Sequence, residues 1–463
     1  MAMGWASMSV RALSLGSTAP RFAQLSGSLV SLCLCLAMGC VDDGELDEGS
    51  EEAETGESGD EDGDPLGLGE CPELSTGDPA ALPVAGWEDL QDPDLACALR
   101  ALDALVAERS IVCLGENGHG VADSNLWHAL VIRYLVHAHG ARVVATESLR
   151  ATTAPWNDYV QGGDPSLLEA GFEGLLNSLA NTEENAAFVE SMRTIGEELP
   201  EGETLKLTGY DVAVQPILAR AAILEFLLDA APELHDTWAE QLPTGKEGDE
   251  VVIDWLAAGD FADELLALLE DNAADYIAAT DEQRQADAMV DAADLADGYR
   301  FLHWYRQDNF NVGNATYREP GMIRNVERMR AELPEDELLI LVSHNRHCAR
   351  EWIIGTDEQG QDSPALGNHL DKVFGEDYLL IAQAYEQGSY TRRTDGVFET
   401  VAFSANPTYL ESVIGGATEE GVLLIDDLPG GIWEMWSQSP LDVSANFDAL
   451  LWIRDVVGTT IRE

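Results

Sequence analysis

The sequence predicts an α/β fold, with a mainly parallel central sheet flanked by helices and interrupted by a helical insertion. Two observations carry this expectation. Short apolar runs alternate along the chain with longer stretches of helical periodicity. Several of those runs are apolar on successive residues rather than on alternate ones, the pattern of strands buried on both faces.

The strand candidates in order are Ile111–Gly115, Arg142–Glu147, Thr204–Tyr210, Leu338–Ser343, Tyr378–Ala384, Val397–Phe403, Gly421–Ile425 and Ala449–Ile453. Asn125–His139 and Met322–Glu332 read as helices between them. From Ile217 to Tyr305 the chain is rich in Ala, Leu, Asp and Glu and holds no strand candidate, so about 217–305 is expected to be a helical insertion. Such a block either roofs a pocket or forms a helical layer of the core. No internal repeat is evident.

The first 39 residues read as a targeting segment. Arg11 and Arg21 are their only charges, and an apolar stretch from Leu29 to Met38 runs into Ala37-Met38-Gly39-Cys40. The pattern is a secretory signal peptide, too short to span a membrane. The Cys after Gly39 resembles a bacterial lipoprotein cleavage box, which makes Cys40 the expected lipidation site. The expected location is therefore extracytoplasmic, at the cell envelope, with membrane contact through the lipid anchor alone. Residues 41–64 hold thirteen acidic residues and no Lys or Arg. Like-charge repulsion and scarce apolar side chains make 40–78 an expected disordered tether, with the folded domain spanning 79–463.

The whole chain carries 85 acidic against 25 basic residues, a formal net charge of −60, and its lysines are Lys206, Lys246 and Lys372. A surface of that sign repels nucleic acid and anionic lipid, which excludes both as expected partners. It also suits work in salty water, where counterions screen the self-repulsion. Of seven cysteines, Cys33 and Cys35 fall in the signal segment. Outside the cytoplasm a disulfide is permitted, and Cys71–Cys97 is the more natural pair because both precede the sheet. Cys113, inside an apolar run, reads as a small buried hydrophobe, and Cys348 completes the set.

Gly115-Glu116-Asn117-Gly118-His119-Gly120 follows directly on the run Ile111–Leu114. A strand ending in a glycine turn presents a carboxylate and an imidazole at its carboxyl edge, where ligand sites of α/β sheets collect. Glu147 ends a second strand candidate, and His344-Asn345-Arg346-His347 ends another. Paired His and carboxylate suit either general acid/base work on water or metal ligation. Gly-x-Gly-x-x-Gly, Gly-x-Ser-x-Gly and phosphate-loop patterns are absent, which leaves a dinucleotide enzyme or a nucleophile-elbow serine hydrolase unsupported.

Further segments extend the pattern. Glu147 lies 28 residues beyond His119, and Arg318-Glu319-x-x-Met322-x-x-Asn325-Val326 precedes His344-Asn345-x-His347. Gly367-x-x-Leu370, Gly375-x-x-Tyr378 and Phe447-Asp448-Ala449-Leu450 close the set. This ordered series resembles the erythromycin esterase family, hydrolases that open macrolide lactone rings, over roughly Ala98 to Ile453. The resemblance implies that His119 is the general base acting on water. It implies further that Glu116 and Glu147 position that base or the water, and that His344 and His347 form a second pair near the reacting centre. On chemical grounds His344 could also donate to the oxyanion. His128, Asp211 and Arg318 are candidate substrate-positioning residues, although Arg318 and Asn325 also read as anchors of their own helix. The chain departs from the family at His128, where an Arg is usual. Imidazole is shorter than guanidinium and lacks its forked donors.

The resulting expectation is a cofactor-free, metal-independent lactone or carboxylic ester hydrolase with a small-molecule substrate, macrolides being the default. A second reading has Glu116, His119, Glu147, His344 and His347 ligate a metal, for hydrolysis or for metal capture at the cell surface. A third is a binding protein without turnover.

Overall fold

A computed structural model of the chain describes residues 80–81, 99–173, 175, 180–213, 216–244, 253–394, 397–405, 409–415, 421–424, 432–435 and 438–462. The expected signal segment 1–39 and tether 40–78, with Cys40 and Cys71, lie outside the described residues, as does Cys97.

Eight longer strands build the main sheet: β1 Ile111–Glu116, β2 Val143–Thr146, β3 Lys206–Gly209, β4 Leu339–His344, β5 Tyr378–Thr394, β6 Val397–Ser404, β7 Gly421–Leu424 and β8 Ala449–Val456. Each falls on a run expected from the sequence. Their spatial order is β7-β8-β5-β1-β4-β2-β3, with the short strand Ala80–Ala81 beyond β7 and β6 paired to β5 as a hairpin. All pairs from β8 through β3 are parallel, whereas β7 and β6 pair antiparallel.

Continuous apolar runs are needed because both faces of this sheet are covered. Alternate residues of the central strands enter different cores. Val112, Leu114, Val144, Ile340 and Ile381 pack with Trp127, Leu130, Val131 and Leu135 of helix α1, Ala122–His139. Ile111, Cys113, Ala145, Leu339, Leu341 and Leu380 pack on the other face against Met322, Val326 and Met329. Those three methionine and valine side chains belong to the helix Glu319–Glu332. Strands β1 and β4 are neighbours, yet the chain leaves β1 through α1 on one face and leaves β4 into the opposite core. The carboxyl ends of β1 and β4 therefore open a crevice, the usual ligand position in such sheets.

The described residues between Pro216 and Tyr305 form the helices Pro216–Ala230, Pro232–Gln241, Trp255–Asp271, Ala273–Ala279 and Glu282–Tyr305, with no strand among them. They have their own core of Ile223, Phe226, Leu227, Trp255, Leu265, Leu269, Leu295 and Tyr299. They meet the sheet domain through ion pairs and hydrogen bonds. Arg150 reaches Asp291, while Arg324 and Asn325 both donate to Asp294 at 2.8 Å.

The cysteine expectation needs correction. Cys113 is wholly buried but is not a free hydrophobe, because it forms a disulfide with Cys348 across 235 residues of chain. The bond ties β1, which ends in Glu116, to the short helix Asn345–Cys348 that carries His347. Burial on an inward-facing strand position looks identical in sequence for a thiol and for half of a cystine.

Candidate active site

The Gly115–Gly120 turn is shaped by two glycines with different tasks. At Gly115 a Cβ would lie 2.1 Å from Asn345 Oδ1, so the missing side chain makes room for Asn345. Asn345 in turn donates from Nδ2 to Gln383 O at 2.9 Å, fixing the turn after β4 to β5. Gly120 has φ +81°, a left-handed conformation that favours glycine, and a Cβ there would meet Thr391 O at 1.9 Å.

Between them, His119 Nδ1 and Glu116 Oε1 form a short hydrogen bond. That contact leaves Nε2 as the nitrogen able to exchange a proton with a ligand. Burial lowers the imidazole pKa, but the Glu116 charge and hydrogen bond outweigh it, with Glu147 adding, and raise His119 to about 9. Burial likewise opposes ionisation of Glu116, yet the His119 charge keeps its pKa below the usual value. At neutral pH the resting pair is thus carboxylate and imidazolium. The ring of His344 stands 5.2 Å from that of His119, edge to face.

His344 occupies the N-cap of Asn345–Cys348, and its Nδ1 accepts the Arg346 N–H at 3.1 Å. A neutral ring accepting at Nδ1 carries its proton on Nε2. Burial first, and the neighbouring His119 cation second, push its pKa down to about 3. His344 is therefore a neutral N–H donor beside a cationic imidazole.

Glu147, one residue beyond β2, is saturated. Its Oε2 accepts from Ser343 Oγ at 3.0 Å and from His344 N–H at 2.8 Å, while Oε1 accepts from Arg318 Nη2 at 2.5 Å. His347 Nε2 lies 3.4 Å from the same Oε1. Burial works against its charge, but His347 and Arg318 hold the Glu147 carboxyl well below the usual range. Arg318 also donates to Asp211 Oδ1 from Nε at 3.0 Å and to Oδ2 from Nη2 at 2.8 Å. Asp211 is fully buried and further accepts the Val212 and Ala213 N–H groups. The guanidinium thus spans the ends of β2 and β3, and Asp211 acts on the site through it.

His347 Nδ1 forms a short hydrogen bond with Glu319 Oε1, and Glu319 Oε2 accepts the Leu366 N–H at 3.0 Å. Burial disfavours the His347 cation, yet Glu319 and Glu147 raise its pKa. Nothing in the sequence marks Glu319, part of the Arg318-Glu319 segment, as the partner of His347. An acid in the first turn of a helix beside Pro320 reads as a partner of the helix dipole, which hides its pairing with a histidine 28 residues on. Ser343 likewise reads in sequence only as the end of a strand.

His128 reaches the same region from α1. Its Nε2 lies 3.2 Å from Gly115 O, its Nδ1 has no hydrogen-bond partner among the described residues, and burial lowers its pKa. It props the Glu116 turn from below as a neutral ring. Tyr210 packs on the other side, with its hydroxyl donating to Val342 O at 3.3 Å.

Glu116, His119, Glu147, Arg318 and Ser343 border a cavity of about 300 Å³. Leu149, Thr152, Leu175, Thr182, Asn185 and Phe188 supply its opposite wall. These belong to the segment between β2 and β3, and no described residue of 216–305 borders this cavity. Among the described residues no three His, Cys, Asp or Glu side chains are arranged to hold a metal ion. Both nitrogens of His347 and both oxygens of Glu147 already have protein partners, which disfavours the metal-ligand reading on geometry.

Fold and site together define an α/β protein with a carboxylate–imidazole centre at the carboxyl edge of a parallel sheet. Residues 136–425 match the family model described as erythromycin esterase, and the chain belongs to that family. Family membership supports an ester hydrolase acting on a small molecule. Glu147, Asp211, Arg318, His344 and His347 fall inside the matched span, whereas Glu116, His119 and His128 precede it. No curated protein matches the sequence. Among solved structures, a Bacillus cereus protein is similar with a TM-score of 0.62 at 18% identity, covering 84% of this chain and 96% of its own. A succinoglycan biosynthesis protein gives 0.64 at 18% identity, with 84% and 95% covered. A mutant of the erythromycin esterase EreC in its open conformation gives 0.61 at 20% identity, with 77% and 93% covered. At these identities the likeness establishes the fold.

Proposed function

We propose that this protein hydrolyses a lactone or another carboxylic ester with water activated by His119. The observation that carries the reading is the Glu116–His119 pair, with the imidazole open to the cavity and the neutral His344 ring 5.2 Å away. In the fraction with His119 deprotonated, Nε2 takes a proton from water as the oxygen attacks the carbonyl carbon. Glu116 stays ionised and stabilises the imidazolium that forms. The tetrahedral oxyanion accepts a hydrogen bond from His344 Nε2–H, a donor already in place before reaction. Collapse expels the alkoxide, which recovers the proton from His119. Arg318, Asp211, Glu319 and His347 hold Glu147 and the turn after β4 in register.

Macrolides are the first substrate class to assay, because the family supports it. Incubation with a panel of macrolides, simple lactones and linear esters should give products heavier by one water for the lactones. His119→Ala should abolish that gain, and unchanged turnover in the variant would remove His119 as base. As a separate reading, resting on the Ala37-Met38-Gly39-Cys40 sequence, we propose that the protein is a lipoprotein of the cell envelope anchored at Cys40. A buried disulfide supports an oxidising compartment. Labelled palmitate should enter the wild-type chain and not Cys40→Ala; equal incorporation would refute that anchor.

A further inference from the structure

Beyond β8 the chain runs as a strap, residues 457–462, along one edge of the cavity. At its start Ala122 N–H donates to Val457 O at 2.8 Å and Val457 N–H to Asp123 Oδ2 at 2.7 Å. Gly458 then bridges to Val121, and Thr459 N–H donates to Gly120 O at 3.0 Å. Gly120 directly follows His119, so the strap holds the turn that presents the base. Its other end is fastened to a different wall. Ile461 bridges to Thr182, Glu183 N–H donates to Thr460 O at 2.9 Å, and Arg462 N–H donates to Asn181 O at 3.1 Å. Arg462 also pairs with Glu169 at 2.6 Å and lies 4.4 Å above the Phe172 ring.

Gly120, Val121, Thr182 and Thr459 all border the cavity. The strap therefore stitches the His119 turn to the opposite wall and fixes the distance between them. The cleft between these walls holds about 300 Å³ and opens to solvent on one side, which puts the space between the walls at the small end of ligand sites. A macrolide ring with its sugars needs several times more.

Resting on the hydrolase reading above, we propose that the strap sets an upper size limit and makes this site specific for compact esters or lactones rather than macrolides. Thr459, whose chain is held between Gly120 and Thr391, is the residue that defines the limit. Its carbonyl accepts from Thr391 Oγ1 at 2.7 Å, so it cannot swing aside without losing both contacts.

The test compares kcat/KM for erythromycin, a small lactone and phenyl esters of increasing acyl length. Wild type should favour the small lactone over erythromycin by at least tenfold, the lower bound for a pocket that excludes excess bulk. Truncation after Thr459 removes the stitches to residues 181–184 and should raise the erythromycin-to-lactone ratio about tenfold, through KM. Thr459→Phe, which does not depend on the truncated chain folding, should shorten the longest acyl chain accepted. Equal efficiency on erythromycin and the small lactone in wild type would overturn the size limit while leaving the hydrolase intact. So would an acyl-length profile unmoved by Thr459→Phe. Absence of hydrolysis of every ester would instead overturn the hydrolase reading, and the size limit with it.

Discussion

Two carboxylate–imidazole pairs of the site, Glu116–His119 and Glu319–His347, share one chemistry in different surroundings. In Glu116–His119 the histidine side chain is 53% exposed and the carboxylate 19%. In Glu319–His347 the figures are 7% and 0%. His119 spends one nitrogen on its carboxylate and turns the other toward the cavity. His347 spends both, on Glu319 and on Glu147. The same interaction is thus placed once where a proton can leave and once where it cannot. On the proposed mechanism, what separates a reacting pair from a framing pair is the number of partners, more than the residue types.

The contrast breaks first at His119. His119→Gln should lower kcat/KM by about 10²–10⁴-fold, the usual worth of a general base, with little change in melting temperature. His347→Gln should act the other way round, destabilising strongly and lowering activity in proportion to folded protein. Steady-state kinetics beside calorimetry tests both, and a stable but inactive His347→Gln would promote His347 to the chemistry. Next in size is Glu319→Ala. Removing one member of a buried ion pair leaves the other uncompensated and costs about 3–5 kcal/mol. A chemical denaturation midpoint equal to wild type would contradict the framing role.

The sequence made the sheet legible because its strands are buried on both faces and so leave continuous apolar runs. Glu116, His119, Glu147, His344 and His347 were legible because they end those runs. Arg318 read both as a helix anchor and as a site residue, and its bonds to Glu147 and Asp211 join the two descriptions. Glu319 was not legible, since its partner is set by the packing of the Glu319–Glu332 helix under the turn after β4. The Cys113–Cys348 bond was hidden for the same reason. Of the residues that wall the cavity, Thr182 reads only as the N-cap of the helix Glu183–Glu197 and Thr459 as a loop threonine, and the position of both depends on a meeting of distant segments. Such long-range closure has no periodicity to betray it.

Titration sharpens the comparison further. With His119 raised to about 9, its base form gains tenfold per pH unit below that value, so log kcat/KM should rise with unit slope and level near pH 9. A profile that falls through pH 9 would assign the imidazolium, not the imidazole, to the reaction. Glu116→Gln removes the charge that raises His119 and should move the limb to lower pH.

The smallest effect concerns stability in mild acid, where the histidines separate by sign. His119 and His347 have raised folded pKa values, so their contribution is complete below the ordinary 6.5 and is lost only as pH rises through the folded value. Between pH 7 and 5 they therefore gain some stability on acidification, as the unfolded histidines titrate around 6.5, a background shared by wild type and a His344 variant. His344 is the opposite case, with its folded pKa near 3. Below 6.5 the unfolded chain binds a proton that folded His344 refuses, so stability falls as pH drops. The carboxylates Glu116 and Glu147, with lowered folded values, add their own loss only below about 4.5. Unfolding free energies from urea titrations at pH 7 and pH 5 should therefore differ by about 1–2 kcal/mol more in wild type than in His344→Asn. Equal pH dependence in the two proteins would mean that His344 takes up a proton in the folded state, and the neutral N–H donor assigned to the oxyanion would have to be given up.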